Sequence, residues 1–346
     1  MSAEPNPASS PGNRLLVSVV VIGRNEGERL RRCLESVSAM VRPNFDTEVI
    51  YADSGSIDGS VTLAEQLGAK TIALHPERPS AALGRNAGWR AATGSIILFL
   101  DGDTILHPNF VADSLNEFTV PEVAVVWGHR RELHPERSLY NRILDLDWIY
   151  LPGPTMYCGG DALFRRDLLG ETGGFDETLI AGEEPDLCRR IAALGFTILH
   201  VDRPMTGHDL AITSWRQYWK RSTRAGHAFA EVSERFQSTE QAFWNEESRR
   251  NRNRALFLPG LFIAGLASSI AFASLLPLGI FCLFLLALAV RSAWKARWKT
   301  KDKVALMFYG IHSHLQQIPI YIGQLQYKWN KRNGKRSMLL EYKQPQ

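Results

Sequence analysis

Cysteine is scarce, with four in 346 residues. Cys33, Cys158, Cys188 and Cys282 stand far apart, without a CxxC pair or a Cys/His cluster. This argues against a disulfide framework and a structural zinc site, and predicts reduced thiols in the cytoplasm. No basic segment followed by an apolar run opens the chain. A secretory signal is therefore not expected, and the N-terminal part should stay on the cytoplasmic side. No internal repeat is visible. The first apolar run, Leu15–Ile22, is followed by Gly23-Arg24-Asn25-Glu26-Gly27 rather than Gly-x-Gly-x-x-Gly, which speaks against a dinucleotide-binding enzyme. Charge of either sign is missing from residues 255–290, and this absence shapes the reading of the whole C-terminal third.

A membrane span needs about 20 apolar residues. The uncharged stretch is too long for one span and somewhat short for two. Pro277-Leu278-Gly279 offers a turn near its middle. Arg249, Arg250, Arg252 and Arg254 precede it, and Arg291, Lys295, Arg297, Lys299, Lys301 and Lys303 follow. The positive-inside tendency places both flanks in the cytoplasm, so a helical hairpin is predicted rather than a single crossing. Residues 291–346 hold twelve Lys or Arg against Asp302 and Glu341, a balance of +10; within the net +4, residues 1–290 therefore carry −6. A basic tail after an apolar hairpin points to an anionic membrane surface and away from nucleic acid.

Residues 2–13 are small, polar and proline-rich, so 1–14 reads as a disordered lead-in. From Leu15 on, strands and helices alternate. Strands are predicted at Leu15–Ile22, Glu48–Ala52, Thr71–Leu74 and Ser95–Leu100. Helices are predicted at Glu28–Met40, from an Asp58 cap to Leu67, and at Ser80–Ala92 closed by Gly94. This alternation predicts an α/β fold with a parallel sheet, whose ligands sit beyond the carboxyl ends of the strands. Asp53 and Asp101 both stand at such ends. Further on, Val123–Trp127 and Phe196–Val201 read as strands. Ser138–Tyr150, Gly182–Leu194 and Thr213–Phe236 read as helices. Residues 304–325 read as an interfacial helix or a weaker third span.

Three acidic clusters carry potential chemistry. Asp101-Gly102-Asp103 follows a buried strand, and two carboxylates one residue apart can share a hard divalent cation with phosphate oxygens; alone, the pair equally fits a solvated turn. Asp53–Ser60 fits a turn with a helix cap, or a loop whose Asp53 hydrogen-bonds a nucleotide base. Gly182-Glu183-Glu184-Pro185-Asp186 fits a helix start with dipole-complementing acids, or a site for a general base.

In series, these segments resemble family 2 glycosyltransferases of the GT-A fold. Val17–Leu30 (VSVVVIGRNEGERL) looks like the family's opening strand, loop and helix. Asp53–Ser60 looks like its nucleotide-binding turn, and Leu83–Gly94 with Ile96–Asp103 like the segment leading to its DxD motif. Cys158–Arg165 (CGGDALFR), Gly173–Asp176 (GGFD) and Gly182–Leu187 (GEEPDL) look like its acceptor-side half. The match spans roughly 15–235.

The resemblance implies a GT-A (Rossmann-like), mostly parallel sheet flanked by helices, with C-terminal membrane helices added. It divides the chain into a catalytic domain at 15–236 (nucleotide-binding half 15–103, acceptor half 104–236), a basic linker at 237–254, a transmembrane hairpin at 255–290 and a basic interfacial or cytoplasmic tail at 291–346. It implies donor contacts from Asn25, Glu26, Asp53, Asp58, Arg85, Asp101 and Asp103, and a Mn2+ or Mg2+ ion held by Asp103 and Asp101 with His208. Glu184, or its neighbour Glu183, would be the catalytic base, with Gly159, Gly160, Asp161 and Asp186 on the acceptor side. The expected activity is inverting transfer of a sugar from a nucleotide-diphosphate donor to a glycan or lipid-linked acceptor at the inner or plasma membrane, in envelope-glycan or exopolysaccharide synthesis. A non-catalytic nucleotide-sugar-binding scaffold is the alternative. Arg24 stands where the family often has a base-stacking aromatic.

Overall fold

A computed structural model describes residues 14–335; most of the lead-in at 1–14 and the end of the basic tail lie outside the described residues. The chain runs β1 (Leu15–Gly23), α1 (Glu28–Ser38), β2 (Phe45–Asp53), α2 (Ser60–Gln66), β3 (Lys70–Ala73), α3 (Ala81–Ala91), β4 (Ile96–Asp101) and β5 (Thr104–Leu106). It continues through α4 (Phe110–Ser114), β6 (Val123–Glu132), α5 (Leu139–Leu144), β7 (Gly153–Thr155), β8 (Ala162–Arg165), α6 (Arg166–Glu171), α7 (Glu183–Ala193) and β9 (Thr197–His208). Five longer helices close the described chain: α8 (Trp215–Phe236), α9 (Asn245–Ala271), α10 (Leu276–Lys295), α11 (Lys303–Leu315) and α12 (Gln317–Arg332).

One sheet takes the strands in the order β3-β2-β1-β4-β8-β6-β9-β5, with β7 paired to β9. Its first half is parallel, as β-branched runs buried on both faces require. The second half is mixed: β8 runs antiparallel to β4 and β6, while β6 and β9 are parallel. Register places Gly23 beside Asp53 and Ile22 beside Asp101. The carboxyl ends of β1, β2 and β4 thus form one rim. The core lies between this sheet and its helices, with Val19, Val20, Ile50, Leu98 and Phe164 buried.

Two glycines bring elements close rather than turn the chain. A Cβ on Gly88 of α3 would lie 2.1 Å from Val20, and one on Gly94 2.5 Å from the Leu16 carbonyl. Gly94 therefore does not close α3 as a left-handed cap; Ala92 ends that helix in extended conformation, and Gly94 lets the loop cross β1. Asp58 also differs from its expected role. Gly59 is the N-cap of α2, and Asp58 instead accepts from the Ser60 N–H and hydroxyl.

The C-terminal third departs further. Residues 245–254, within the stretch expected as a basic linker, form the first turns of α9. The hairpin turn falls at residues 272–275, before Pro277, where Ala273 takes a left-handed φ of 47°. Proline lacks an N–H and is tolerated in a first helical turn, so Pro277 starts α10 rather than breaking the hairpin. Ser274 and Ser269 hydroxyls accept from the N–H groups of Leu276 and Leu278. The described part of the basic tail packs on α8. A Cβ on Gly226 of α8 would meet the Ile320 carbonyl of α12 at 1.9 Å, and one on Gly323 the Thr223 carbonyl at 2.0 Å. Among the described residues, α9 and α10 are long and apolar enough to cross a membrane, with mean hydropathy 1.6 and 2.1, and 11% of each apolar window is buried. That exposure is opposite to a core hairpin.

Candidate active site

A cleft of about 1020 Å³ opens over the rim of the parallel half. Ile22, Gly23, Asn25 and Ser54 come to it from the β1 and β2 loops, and Asp101, Gly102 and Asp103 from the end of β4. His208 arrives from the end of β9 because β5, directly after Asp103, pairs antiparallel with β9 and puts Thr104 opposite His208. The short β5 strand thus converts an i, i+2 acidic pair into a three-residue group. Ligand atoms of Asp101, Asp103 and His208 all lie within 4.8 Å of one another. Nε2 of His208 is 3.4 Å from Asp103, while its Nδ1 is buried with no hydrogen-bond partner. Burial, and then the charge of Arg130, push this imidazole down to about 3. It is therefore neutral at physiological pH, the form that binds metals. Two carboxylate oxygens and an imidazole nitrogen suit Mn2+ or Mg2+.

The acidic start of α7 faces this group. Glu183 and Glu184 both line the cleft. Between them and the metal-type group lies Arg85, whose side chain is 2% exposed. Its Nη2 is 2.9 Å from Asp101, and its Nη1 is 3.1 Å from Glu183 and 3.0 Å from Glu184. Arg85, expected on the nucleotide, lines the cleft and there joins the two acidic clusters. Burial and the adjacent Glu183 charge raise Glu184 to about 7, against the opposing pull of Arg85.

Asp161 lies fully buried behind the site. It accepts the Asp101 N–H at 3.0 Å and the Thr206 hydroxyl at 2.8 Å, and pairs with Arg130 at 3.0 Å. Gly160 lets the chain pass: a Cβ there would stand 2.6 Å from Arg85 and 2.7 Å from Asp101. A Cβ on Gly159 would stand less tightly, 3.2 Å from Arg130.

Some expected residues are elsewhere. Asp53 is buried, and its carboxylate accepts from Tyr51, the Gly55 and Ser56 N–H groups and the Ser56 hydroxyl. It shapes the turn, and Ser54 presents the turn to the cleft. Asp58 is exposed and outside the cleft lining. Asp186 is turned to Arg190 at 2.9 Å and Arg235 at 3.5 Å, also outside the lining. Asn25 ties the first loop to the second by accepting from the Ile57 N–H, and Glu26 pairs with Arg29 at 2.8 Å; both line the cleft.

Sequence reasoning missed Arg130, Asp147 and Trp148. Arg130 lies over the Trp148 ring, and Trp148 packs edge-on to His208 with centroids 5.0 Å apart. The signal was the charged run His129-Arg130-Arg131, which continues β6 past the buried segment and into the cleft wall.

Sequence comparison bears on this geometry. The family model for glycosyl transferase family 2 matches residues 18–173, and that for glycosyl transferase family group 2 matches residues 96–294, more than half of the chain. The chain belongs to the family 2 glycosyltransferases. Among relatives of this family, the pre-mycofactocin glycosyltransferase of Mycobacterium tuberculosis is 29% identical over 227 residues, covering 60% of this chain and 45% of that protein. The glycosyltransferase AglE of Haloferax volcanii is 25% identical over 191 residues, covering 53% of this chain and 63% of that protein. The chain thus spans about half to two thirds of the lengths of these relatives. Among solved structures, the mannosyltransferase PcManGT from Pyrobaculum calidifontis, in complex with GDP-Man and Mn2+, superposes with a TM-score of 0.65 at 21% identity, covering 95% of this chain and 91% of that one. That likeness establishes a shared fold extending through the C-terminal helices.

Proposed function

We propose that this chain is an inverting glycosyltransferase that moves a sugar from a nucleoside-diphosphate donor to a membrane-borne or lipid-linked acceptor, in envelope-glycan or exopolysaccharide synthesis. The observation that carries the reading is the placing of Asp101, Asp103 and His208 within 4.8 Å of one another, in the cleft that Glu184 also lines. Membership of the family and the Mn2+ and GDP-Man held by the mannosyltransferase of like fold support it.

Asp101, Asp103 and His208 would hold Mn2+ or Mg2+. Such an ion neutralises a leaving diphosphate. Asn25, Glu26 and the turn that Asp53 shapes border the donor end. Glu184, kept close to neutral pH, accepts the proton of an acceptor hydroxyl as its oxygen attacks the anomeric carbon. Attack opposite the departing diphosphate inverts the configuration in one displacement. Glu183 is the more buried of the pair, at 6% exposure against 16%, so Glu184 is the better placed to meet a hydroxyl. Gly159, Gly160 and Asp161 support the acceptor side from behind. The α9–α10 hairpin would anchor the chain in the inner or plasma membrane, with its basic flanks and the catalytic domain on the cytoplasmic face.

The test is a screen of nucleotide sugars with the purified full chain in detergent, scored by nucleoside-diphosphate release with and without Mn2+. Release that needs Mn2+ and is lost in Glu184→Gln is the expected result. Donor binding without turnover of any donor would overturn it in favour of the non-catalytic scaffold.

A further inference from the structure

The cleft reaches beyond the donor end to the helices that adjoin the apolar hairpin. There α8 contributes Arg221 and Arg224, and α9 contributes Arg250 and Arg254. On α9 the lining residues are Glu247, Arg250, Asn251 and Arg254, spaced as one helical face. Arg249 and Arg252 belong to the other face and do not line the cleft.

These arginines are poorly neutralised. Arg250 meets Glu247 at 3.4 Å. Arg221, Arg224 and Arg254 have no hydrogen bond or ion pair among the described residues. Arg250 and Arg291 both repel Arg254. The buried Nε of Arg221, a donor, also lacks a partner, and Arg221 lines the cleft. Cations gathered in a concavity in excess of their counterions create a potential that draws an anion. The guanidinium fork matches phosphate oxygens in particular.

We propose that Arg224, Arg250 and Arg254 form a subsite for the phosphate group of a lipid acceptor. That the lipid is an acceptor rests on the transferase reading; that the arginines bind its phosphate does not. Arg254 is the last charged residue before the uncharged run at 255–290. A phosphate held at Arg250 and Arg254 therefore has its alkyl chain against the apolar part of the same helix, within about one turn. Arg221, whose charge also bears on His208, lines the same cleft. Free phosphate would use the arginines alone and gain nothing from the apolar helix.

The experiment measures binding of hexadecyl phosphate, hexadecanol and inorganic phosphate to the full chain in nanodiscs of neutral lipid. It compares the natural sequence with Arg250→Gln/Arg254→Gln and with Arg249→Gln/Arg252→Gln, two double variants of equal charge change. The expected result is that hexadecyl phosphate binds at least about tenfold more tightly than either other probe, and that only the Arg250/Arg254 variant loses about tenfold. Equal losses in both variants would overturn the proposal in favour of general attraction to the membrane surface. Hexadecanol binding as tightly would remove the phosphate from it, and inorganic phosphate binding as tightly would remove the lipid. Donor turnover is not read, so failure here is separate from failure of the transferase reading.

Discussion

His312 Nε2 lies 3.3 Å from the carboxylate of Asp147, a cleft residue 165 positions earlier in the chain. Nδ1 of the same ring is 2.8 Å from the Tyr218 hydroxyl, and Tyr309 donates to Asp147 at 2.9 Å. Trp148, next to Asp147, packs on His208. Helix α11 therefore braces the wall beside the metal-type group, and Gln316, Gln317 and Ile320 of the tail line the cleft.

Replacing His312 by Ala should destabilise the protein by roughly 1–3 kcal/mol, because a buried hydroxyl and a carboxylate lose their shared partner. Replacement by Gln, which can still reach one of them, should cost less. Thermal unfolding of the full chain in detergent, followed as Tm, checks both.

The base assignment has a pH signature. Glu184 accepts a proton only when ionised, and its carboxyl titrates at about 7. Activity should therefore fall as pH drops below about 7, by about tenfold per pH unit in kcat/KM, and level off above it. Glu184→Gln should lower kcat by roughly 10²–10⁴ and abolish that limb. Full turnover in this variant would remove Glu184 from the mechanism.

Asp161 holds the Asp101 backbone and Arg130 without lining the cleft itself. Outer partners of metal ligands typically tune affinity by about 10–100-fold. Asp161→Asn should raise the Mn2+ concentration for half-maximal activity by about that factor. Titrating Mn2+ into chelator-treated protein measures it.

Gly160→Ala tests the close packing behind the site. The new methyl would press on Arg85 and Asp101, at 2.6 and 2.7 Å. Activity should fall by more than about tenfold while Tm drops by only a few degrees, a loss of roughly 1–3 kcal/mol. A Tm collapse with activity preserved per folded molecule would contradict a local effect.

Arg85→Met removes the cation shared by Asp101, Glu183 and Glu184. Breaking a buried charge cluster from one side costs about 3–5 kcal/mol. Arg85 also lowers Glu184, so the acid limb should move upward in any folded fraction. Arg85→Lys should recover part of the stability but not the two-sided bridge, since a single ammonium cannot reproduce the fork.

The parallel half was readable because its signals are local. Continuous β-branched runs mark strands buried on both faces, and Asp53 and Asp101 fall at strand ends by simple counting. Readings failed where one residue type serves two physical needs. Gly94 looked like a helix stop and proved to be a close approach. Pro277 looked like a turn and proved to be a helix start. Asp53, Asp58 and Asp186 are acidic residues near motifs, yet their carboxylates are taken by neighbouring groups or face solvent.

From sequence alone came the alternation of elements, the order of the motifs and the uncharged hairpin, all properties of residues near one another in the chain. Tertiary structure decided which charges share a pocket. His208 reaches Asp103 only because β5 pairs with β9, Arg85 reaches Glu184 across 99 positions only because α3 and α7 both begin at the rim, and His312 reaches Asp147 only because the last helices fold back. Coulomb and coordination forces act over a few ångströms, and spacing along a chain carries no information about such distances until the sheet has set them.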